Sequence, residues 1–304
     1  MVKPSFLKKG DRVGISAPGK RVLVHELESA REILTSWGLE VEFASALYHD
    51  SGRYLSGSDA HRLKDLQEMM DNPELSAILC ARGGYGTTRI MDQLRFENFQ
   101  NKPKWIAGFS DITALHLKLL SLGFESIHGT MPIFFANPGA SGSVESLKRV
   151  LFGLGSELQG PPSENNRMGK FRGPVIGGNL SLLLDSMATD TEPDLDGKIL
   201  IVEEIDEYLY KIDRLFTQML RTGKLNRLGG LVIGHMSELK DTKPGLGQSL
   251  AEIVLDKVSR FNYPVAFHFP TGHEDPNLAW IQGSIMTLNI STSGSTLRSD
   301  PDIS

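Results

Sequence analysis

Ala77-Ile78-Leu79-Cys80-Ala81 is an unbroken apolar run, and Arg82-Gly83-Gly84-Tyr85-Gly86 follows it at once. A strand that alternates apolar and polar residues keeps one wet face. A strand apolar throughout is covered on both faces, as in parallel sheets. The flanking sequence agrees. Upstream, Arg12 to Ala17 reads as a short strand stopped by Pro18-Gly19. Leu23, Leu27, Ala30, Leu34 and Trp37 then share one helical face with Gly38 as C-cap, and Leu39, Val41 and Phe43 alternate as a strand. Ser58 or Asp59 is placed to cap a helix whose apolar face holds Leu63, Leu66 and Met70. Downstream, Ile90, Met91 and Leu94 suggest a helix, Trp105-Ile106-Ala107 a short strand, and 111–120 another helix. Strands alternating with helices predict an α/β fold on a parallel sheet.

Gly153 to Gly173 breaks the pattern with Pro161-Pro162, Asn165-Asn166 and several glycines. It reads as a connection, which divides the chain into 1–153, a linker at 154–171, and a second α/β or α+β domain at 172–304. That second part offers strands at 199–202 and 231–233, helices carrying Ile212, Leu215, Phe216 and Met219 and then Ile253, Leu255 and Val258, and a late alternation of Met286, Leu288 and Ile290.

The 304 residues suit two modest domains or one large one, and 40% hydrophobic with 23% charged residues excludes wholesale disorder. A net charge of −5 argues against a nucleic-acid footprint. Cys80 is the single cysteine, so no disulfide framework or zinc ribbon is expected, and a reducing, cytoplasmic setting is the simplest fit. No stretch approaches eighteen apolar residues, so no membrane partner is expected. No H-E-x-x-H occurs, and neither a metal nor a cofactor is expected.

Chemistry concentrates at the ends of the expected strands. Ile106-Ala107-Gly108-Phe109-Ser110-Asp111-Ile112-Thr113 has the layout of a nucleophile elbow, although Ile112 stands where G-x-S-x-G has its second glycine. The same residues also read as a plain helix cap. The 82–86 loop presents backbone N–H groups to an anion, or is simply a tight turn. Glu203-Glu204 ends a strand, where α/β proteins place sites, or lies in a solvated loop. Phe269-Pro270-Thr271-Gly272-His273 sets a histidine after a strand and a turn. His128-Gly129 follows a strand and is placed to line a cleft, and His116 reads as packing. His25, His49, His61 and His235 have no motif around them.

Taken together and in order, these segments resemble the LD-carboxypeptidase family of serine peptidases. The resemblance rests on 7–18, on Tyr54-Leu55-Ser56-Gly57-Ser58-Asp59, on 82–86 and 108–113, and on His128-Gly129, Gly177-Gly178-Asn179-Leu180, Glu203-Glu204 and Gly272-His273. It covers about 7 to 290. It implies an N-terminal Rossmann-like parallel-sheet domain with a smaller C-terminal α/β or α+β domain and a cleft between them. It further implies a triad in which Ser110 is the nucleophile, His273 the base and Glu203 the acid. The backbone N–H of Asp111 and one from the glycine loop, Gly84 in preference to Gly83, would form the oxyanion hole. Arg82 is a candidate for the substrate carboxylate. This chain has His128-Gly129-Thr130 where the family commonly has H-G-P, and Glu203-Glu204 where it has E-D.

The implied reaction is hydrolysis of an L,D peptide bond, releasing terminal D-alanine from murein tetrapeptide during cell-wall recycling. A homodimer is the assembly often met in the family. Two alternatives stay open: a relative of the microcin C immunity peptidases cleaving a peptidyl-nucleotide amide, and a non-catalytic anion-binding protein.

Overall fold

The computed structural model describes residues 1–48 and 52–299, so His49 lies outside the described residues. In the N-terminal half, β1 (Arg12–Ser16), β2 (Glu40–Phe43), β3 (Leu75–Cys80), β4 (Trp105–Gly108) and β5 (Ser126–His128) pair in parallel. Helices α1 (Glu28–Ser36), α2 (Asp59–Asp71), α3 (Glu97–Asn101), α4 (Thr113–Ser121) and α5 (Ser141–Leu151) are interspersed among and after them. Ala77, Ile78, Leu79 and Cys80 of β3 are fully buried, as an apolar strand between two covered faces requires. Ser58 caps α2, its Oγ accepting from the His61 N–H at 3.2 Å. Gly38 follows α1 at φ +85°, a left-handed C-terminal position where glycine carries no Cβ penalty.

The second sheet is built from β6 (Glu157–Gly160), β7 (Gly169–Asn179), β8 (Ile199–Ile205), β9 (Gly230–Ser237), β10 (Val265–Ala266), β12 (Ile285–Ser291) and β13 (Gly294–Ser299). Its order is β10-β9-β8-β7-β12-β13-β6, parallel from β7 to β10 and antiparallel through β12, β13 and β6. Helices α6 (Leu180–Asp185), α7 (Leu209–Arg221) and α8 (Leu250–Lys257) complete this half. The remaining strand, β11 (Trp280–Gln282), leaves the second half and closes the first sheet, antiparallel to β5, in the order β11-β5-β4-β3-β1-β2.

Three local expectations need correction. The stretch 154–171, read as a connection, carries β6 and the start of β7. Glu157-Leu158-Gln159-Gly160 alternates exposed and buried, but Gly160 supplies no apolar side chain, so the period-2 signal is too faint to read. Its missing side chain makes room for the Phe269 ring, since a Cβ there would lie 2.8 Å from it. Around Ile90, Met91 and Leu94 the chain makes a single 3-10 turn, Met91–Gln93, and Leu94 is already extended. Those three residues face the core from a turn, where the spacing of a helix is not needed. Strand β11 was not expected in the first sheet, because three residues carry no period and their partner lies some 150 positions earlier.

Candidate active site

The site is assembled where the strands of both halves end. After β4, Phe109 is extended and Ser110 turns into the left-handed region at φ +62°. That conformation costs an L-residue roughly 1–2 kcal/mol, and strain of this kind marks the turn of a nucleophile elbow. The glycine loop presses on it: a Cβ on Gly83 would sit 2.9 Å from Ser110 Cβ and 3.2 Å from its Oγ. Asp111 is buried and does not cap the helix. Its Oδ2 accepts from the Thr87 N–H at 3.0 Å and from the Thr87 hydroxyl at 2.7 Å, tying the glycine loop to the serine turn. Burial raises the Asp111 pKa, and the bonds from Thr87 pull against it.

A buried guanidinium fastens the same loop from behind. Arg62 donates to the Pro18 and Gly86 carbonyls and is itself held by Asp59. Arg82 is half-buried and, among the described residues, makes no hydrogen bond or ion pair.

From the second half, β8 delivers two adjacent carboxylates, and both are buried. Successive strand residues point to opposite faces, so the pair divides. Glu204 accepts from Asn179 Nδ2 at 2.8 Å and from the Ser181 N–H at 2.9 Å. Glu203 Oε2 lies 2.6 Å from His273 Nδ1. Gly272, at φ +126°, permits that approach: a Cβ there would stand 2.9 Å from Glu203 Cβ. The loop is pinned at its far end as well, where the Asn277 N–H donates to Ser143 Oγ at 2.8 Å and the Ala279 N–H to Ser146 Oγ at 2.9 Å.

The two halves meet at Phe109, whose ring lies edge-on to His273 with 4.9 Å between centroids. Ser110 therefore follows directly on a residue in contact with His273, although no hydrogen bond joins Ser110 to His273 among the described residues. A second link runs through the Asn179 N–H, which donates to Thr113 Oγ1 at 3.0 Å. Gly178 makes that link sterically possible, since a Cβ there would be 2.6 Å from the same oxygen.

Burial opposes charge on His273, but the Glu203 carboxylate and its hydrogen bond outweigh it, with Glu204 and Glu238 adding. The His273 pKa therefore stands above the ordinary histidine value. A carboxylate only accepts, so Nδ1 donates to Glu203 and the neutral ring keeps a lone pair on Nε2. This is the arrangement of a general base oriented by an acid.

Residues 13–129 match the LD-carboxypeptidase N-terminal domain, and residues 172–288 match the LD-carboxypeptidase C-terminal domain. The chain belongs to the LD-carboxypeptidase family. A probable murein peptide carboxypeptidase of Bacillus subtilis is 35% identical over 294 residues, covering 94% of this chain and 91% of the relative. The crystal structure of muramoyltetrapeptide carboxypeptidase from Oxalobacter formigenes superposes with a TM-score of 0.86 at 28% identity, covering 95% of this chain and 99% of that one. The microcin C7 self-immunity protein MccF, solved with aspartyl sulfamoyl adenosine, gives a TM-score of 0.86 at 19% identity, covering 99% of each chain. At that identity the likeness shows a shared fold. The LD-carboxypeptidase family is a peptidase family, and its two-part α/β architecture is the one found here.

Within this LD-carboxypeptidase fold, His128 does not line a cleft. It is 1% exposed, stacked on Trp280 at 4.9 Å, and both ring nitrogens lack hydrogen-bond partners. His116 is buried too, between Ser126 Oγ and the Gly108 carbonyl, each at 2.9 Å. Burial depresses the pKa of His116 to about 4 and that of His128 well below the ordinary value, so both stay neutral in the fold. His235, which has no motif around it, stands beside the site: its Nδ1 accepts from the Glu274 N–H at 3.2 Å.

A stability prediction arises from the buried pair. The unfolded chain protonates these rings near pH 6.5, whereas the folded chain holds them neutral until the pH is much lower. The stability they lend is complete above about pH 6.5 and drains away as pH falls toward the folded values. His116 alone is expected to remove about 2 kcal/mol of unfolding free energy between pH 7 and pH 5. Urea denaturation at the two pH values measures it, and His116→Gln should flatten the dependence; an equal slope in both proteins would contradict the assignment.

Proposed function

We propose that the chain is a serine-type LD-carboxypeptidase that releases the C-terminal D-alanine of murein tetrapeptide, using Ser110, His273 and Glu203. The observation that carries this reading is the 2.6 Å pair between buried Glu203 and His273, brought by Phe109 to the strained turn at Ser110. The family membership and the murein peptide relatives support the substrate class.

In this mechanism the neutral His273 Nε2 takes the Ser110 proton as Oγ attacks the carbonyl carbon of the L,D bond. The developing oxyanion accepts from the backbone N–H groups of Gly84 and Asp111. His273 then gives its proton to the departing D-residue's nitrogen, the C–N bond breaks, and an ester to Ser110 remains. Water, deprotonated by the same imidazole, hydrolyses that ester and restores the serine. Glu203 holds the ring in its Nδ1–H tautomer and stabilises the imidazolium. Arg82, half-buried beside Gly83, is a candidate for a substrate carboxylate. Recycling of cell-wall peptides would place the reaction in the cytoplasm, a setting with which the buried, unpaired Cys80 agrees.

The decisive assay uses two synthetic murein tetrapeptides that differ only in the chirality of the last alanine. Inverting that α-carbon exchanges methyl and hydrogen, and a misplacement of about 1 Å costs on the order of 100-fold in rate. Release of D-alanine, with L-alanine released at least that much more slowly, is expected by mass spectrometry. Equal release would remove the L,D assignment. Release from neither peptide, with cleavage of an aminoacyl-nucleotide amide, would move the chain to the immunity-peptidase activity.

A further inference from the structure

A carboxypeptidase must recognise a free chain end, and Lys20 is a cation that contacts hold beside the glycine loop. Its backbone N–H donates to the Gly83 carbonyl at 3.1 Å. Its stem runs along Gly84, where an added Cβ would meet Lys20 Cβ at 2.8 Å, Cδ at 3.2 Å and the Tyr54 hydroxyl at 2.9 Å. The ammonium lies 5.2 Å from the centroid of the Tyr54 ring. Tyr54 is 51% exposed, and Lys20 has no carboxylate partner among the described residues. The next glycine back, Gly83, is the one pressed against Ser110 Oγ.

We propose that Lys20, steadied over the Tyr54 ring, binds the C-terminal carboxylate of the peptide being shortened. The inference rests on the peptidase reading above and deepens it by assigning the residue that makes the enzyme specific for chain ends. The geometry of a peptide supplies the reason. From the scissile carbonyl carbon to the terminal carboxylate there are three bonds, of about 1.33, 1.46 and 1.52 Å, so the two carbons lie within about 4 Å of each other. A carbonyl held between Ser110 Oγ and the loop N–H groups therefore carries its terminal carboxylate within the sweep of a lysine rooted against Gly84. The ring under the ammonium offers a weak, non-ionic resting place, as cation–π contacts at exposed sites do. No strong partner has to be given up when a carboxylate arrives. Tyr54 OH, 2.9 Å from the position a Gly84 Cβ would take, adds a neutral donor on the same wall.

The test compares a synthetic murein tetrapeptide ending in D-alanine with the same peptide ending in D-alaninamide. A third peptide keeps the free end but is amidated at an internal carboxylate. A charge-assisted contact is worth about 10- to 150-fold, and the wild type is expected to favour the free acid over the terminal amide by that factor in kcat/KM. Lys20→Met should collapse the preference to below about fivefold, chiefly through a raised KM for the acid, and Lys20→Arg should restore most of it. Tyr54→Phe, which keeps the ring, should retain the greater part of the preference, whereas Tyr54→Ala should lose more. An undiminished preference in Lys20→Met overturns the proposal. So does loss of the preference in Arg82→Met instead, or a Lys20→Met defect that vanishes only with the internally amidated peptide. If the wild type cleaves none of the three, the peptidase reading fails and this inference fails with it; cleavage with unaltered selectivity sinks the Lys20 assignment alone.

Discussion

Ser110→Ala is expected to lower turnover of the D-alanine tetrapeptide by on the order of 10⁴- to 10⁶-fold while the protein stays folded. The substitution removes one oxygen from a turn and opens no cavity in either core. The Ser110 hydroxyl has no hydrogen bond among the described residues, so no buried partner is orphaned. What disappears is the oxygen that forms the ester in the proposed mechanism. His273 and Glu203 remain paired, and residual hydrolysis comes from the donors and binding contacts alone. Alanine shares with serine the cost of φ +62°, so the thermal midpoint should move little. Active-site titration with a serine-directed fluorophosphonate gives a second readout, with labelling of the wild type and none of the variant. Near-wild-type turnover in a demonstrably folded Ser110→Ala protein would refute the nucleophile.

Glu203→Gln should cost about 10³- to 10⁴-fold in kcat, with a change in pH profile that a purely structural role would not produce. Glutamine fills the same space and can still meet Nδ1 from 2.6 Å away, but it can offer an N–H where the carboxylate could only accept. The ring then loses its preference for the tautomer that leaves Nε2 basic. The sign of the pH effect follows from the charge. Glu203 stabilises the imidazolium against burial and holds the His273 pKa up; its removal lets burial prevail and the pKa falls. The proposed mechanism requires neutral His273, so the acid limb of the residual rate should shift to lower pH in the variant. A limb that stays where it is, or moves upward, would contradict the pairing as the source of the shift.

Much of the first sheet was legible because β3 is apolar on both faces, β2 alternates, and helices such as α1 carry a clear stripe. β6 and β11 were not. Each is three or four residues long, three of the four in β6 are glycine or polar, and both are strands only by virtue of partners far along the chain. The site divides in the same way. Residue types alone left Ser110 and Asp111 open between a cap and an elbow, and the roles of Ser110, Glu203 and His273 came from the ordered resemblance. Nothing in the order of residues reveals that Phe109 touches His273, or that Thr87 claims the Asp111 carboxylate. Lys20 and Tyr54 are 34 positions apart and meet because the loop after β1 runs beside the segment ahead of α2, where the Arg21 N–H donates to the Tyr54 carbonyl at 2.9 Å. His128 misled for a related reason. Its place after a strand suggested a cleft wall, but β11 arrives beside β5 and seals it under Trp280.

Strand β11 also sets an order on synthesis. Chains emerge from the ribosome N-terminus first, and domains commonly fold as they appear. Here the first sheet cannot close until Gln282 has been made, so through most of translation the outer edge of β5 keeps a row of unpaired backbone groups. The same late segment carries the loop with His273, seven residues ahead of Trp280, and that loop is anchored on Ser143 and Ser146 of α5. A nascent chain that stops short of Asn277 thus lacks both a finished first sheet and the α5 anchor for this loop. The serine turn is built early, but the loop from the far half is not fixed beside it until residues 277–282 have been made.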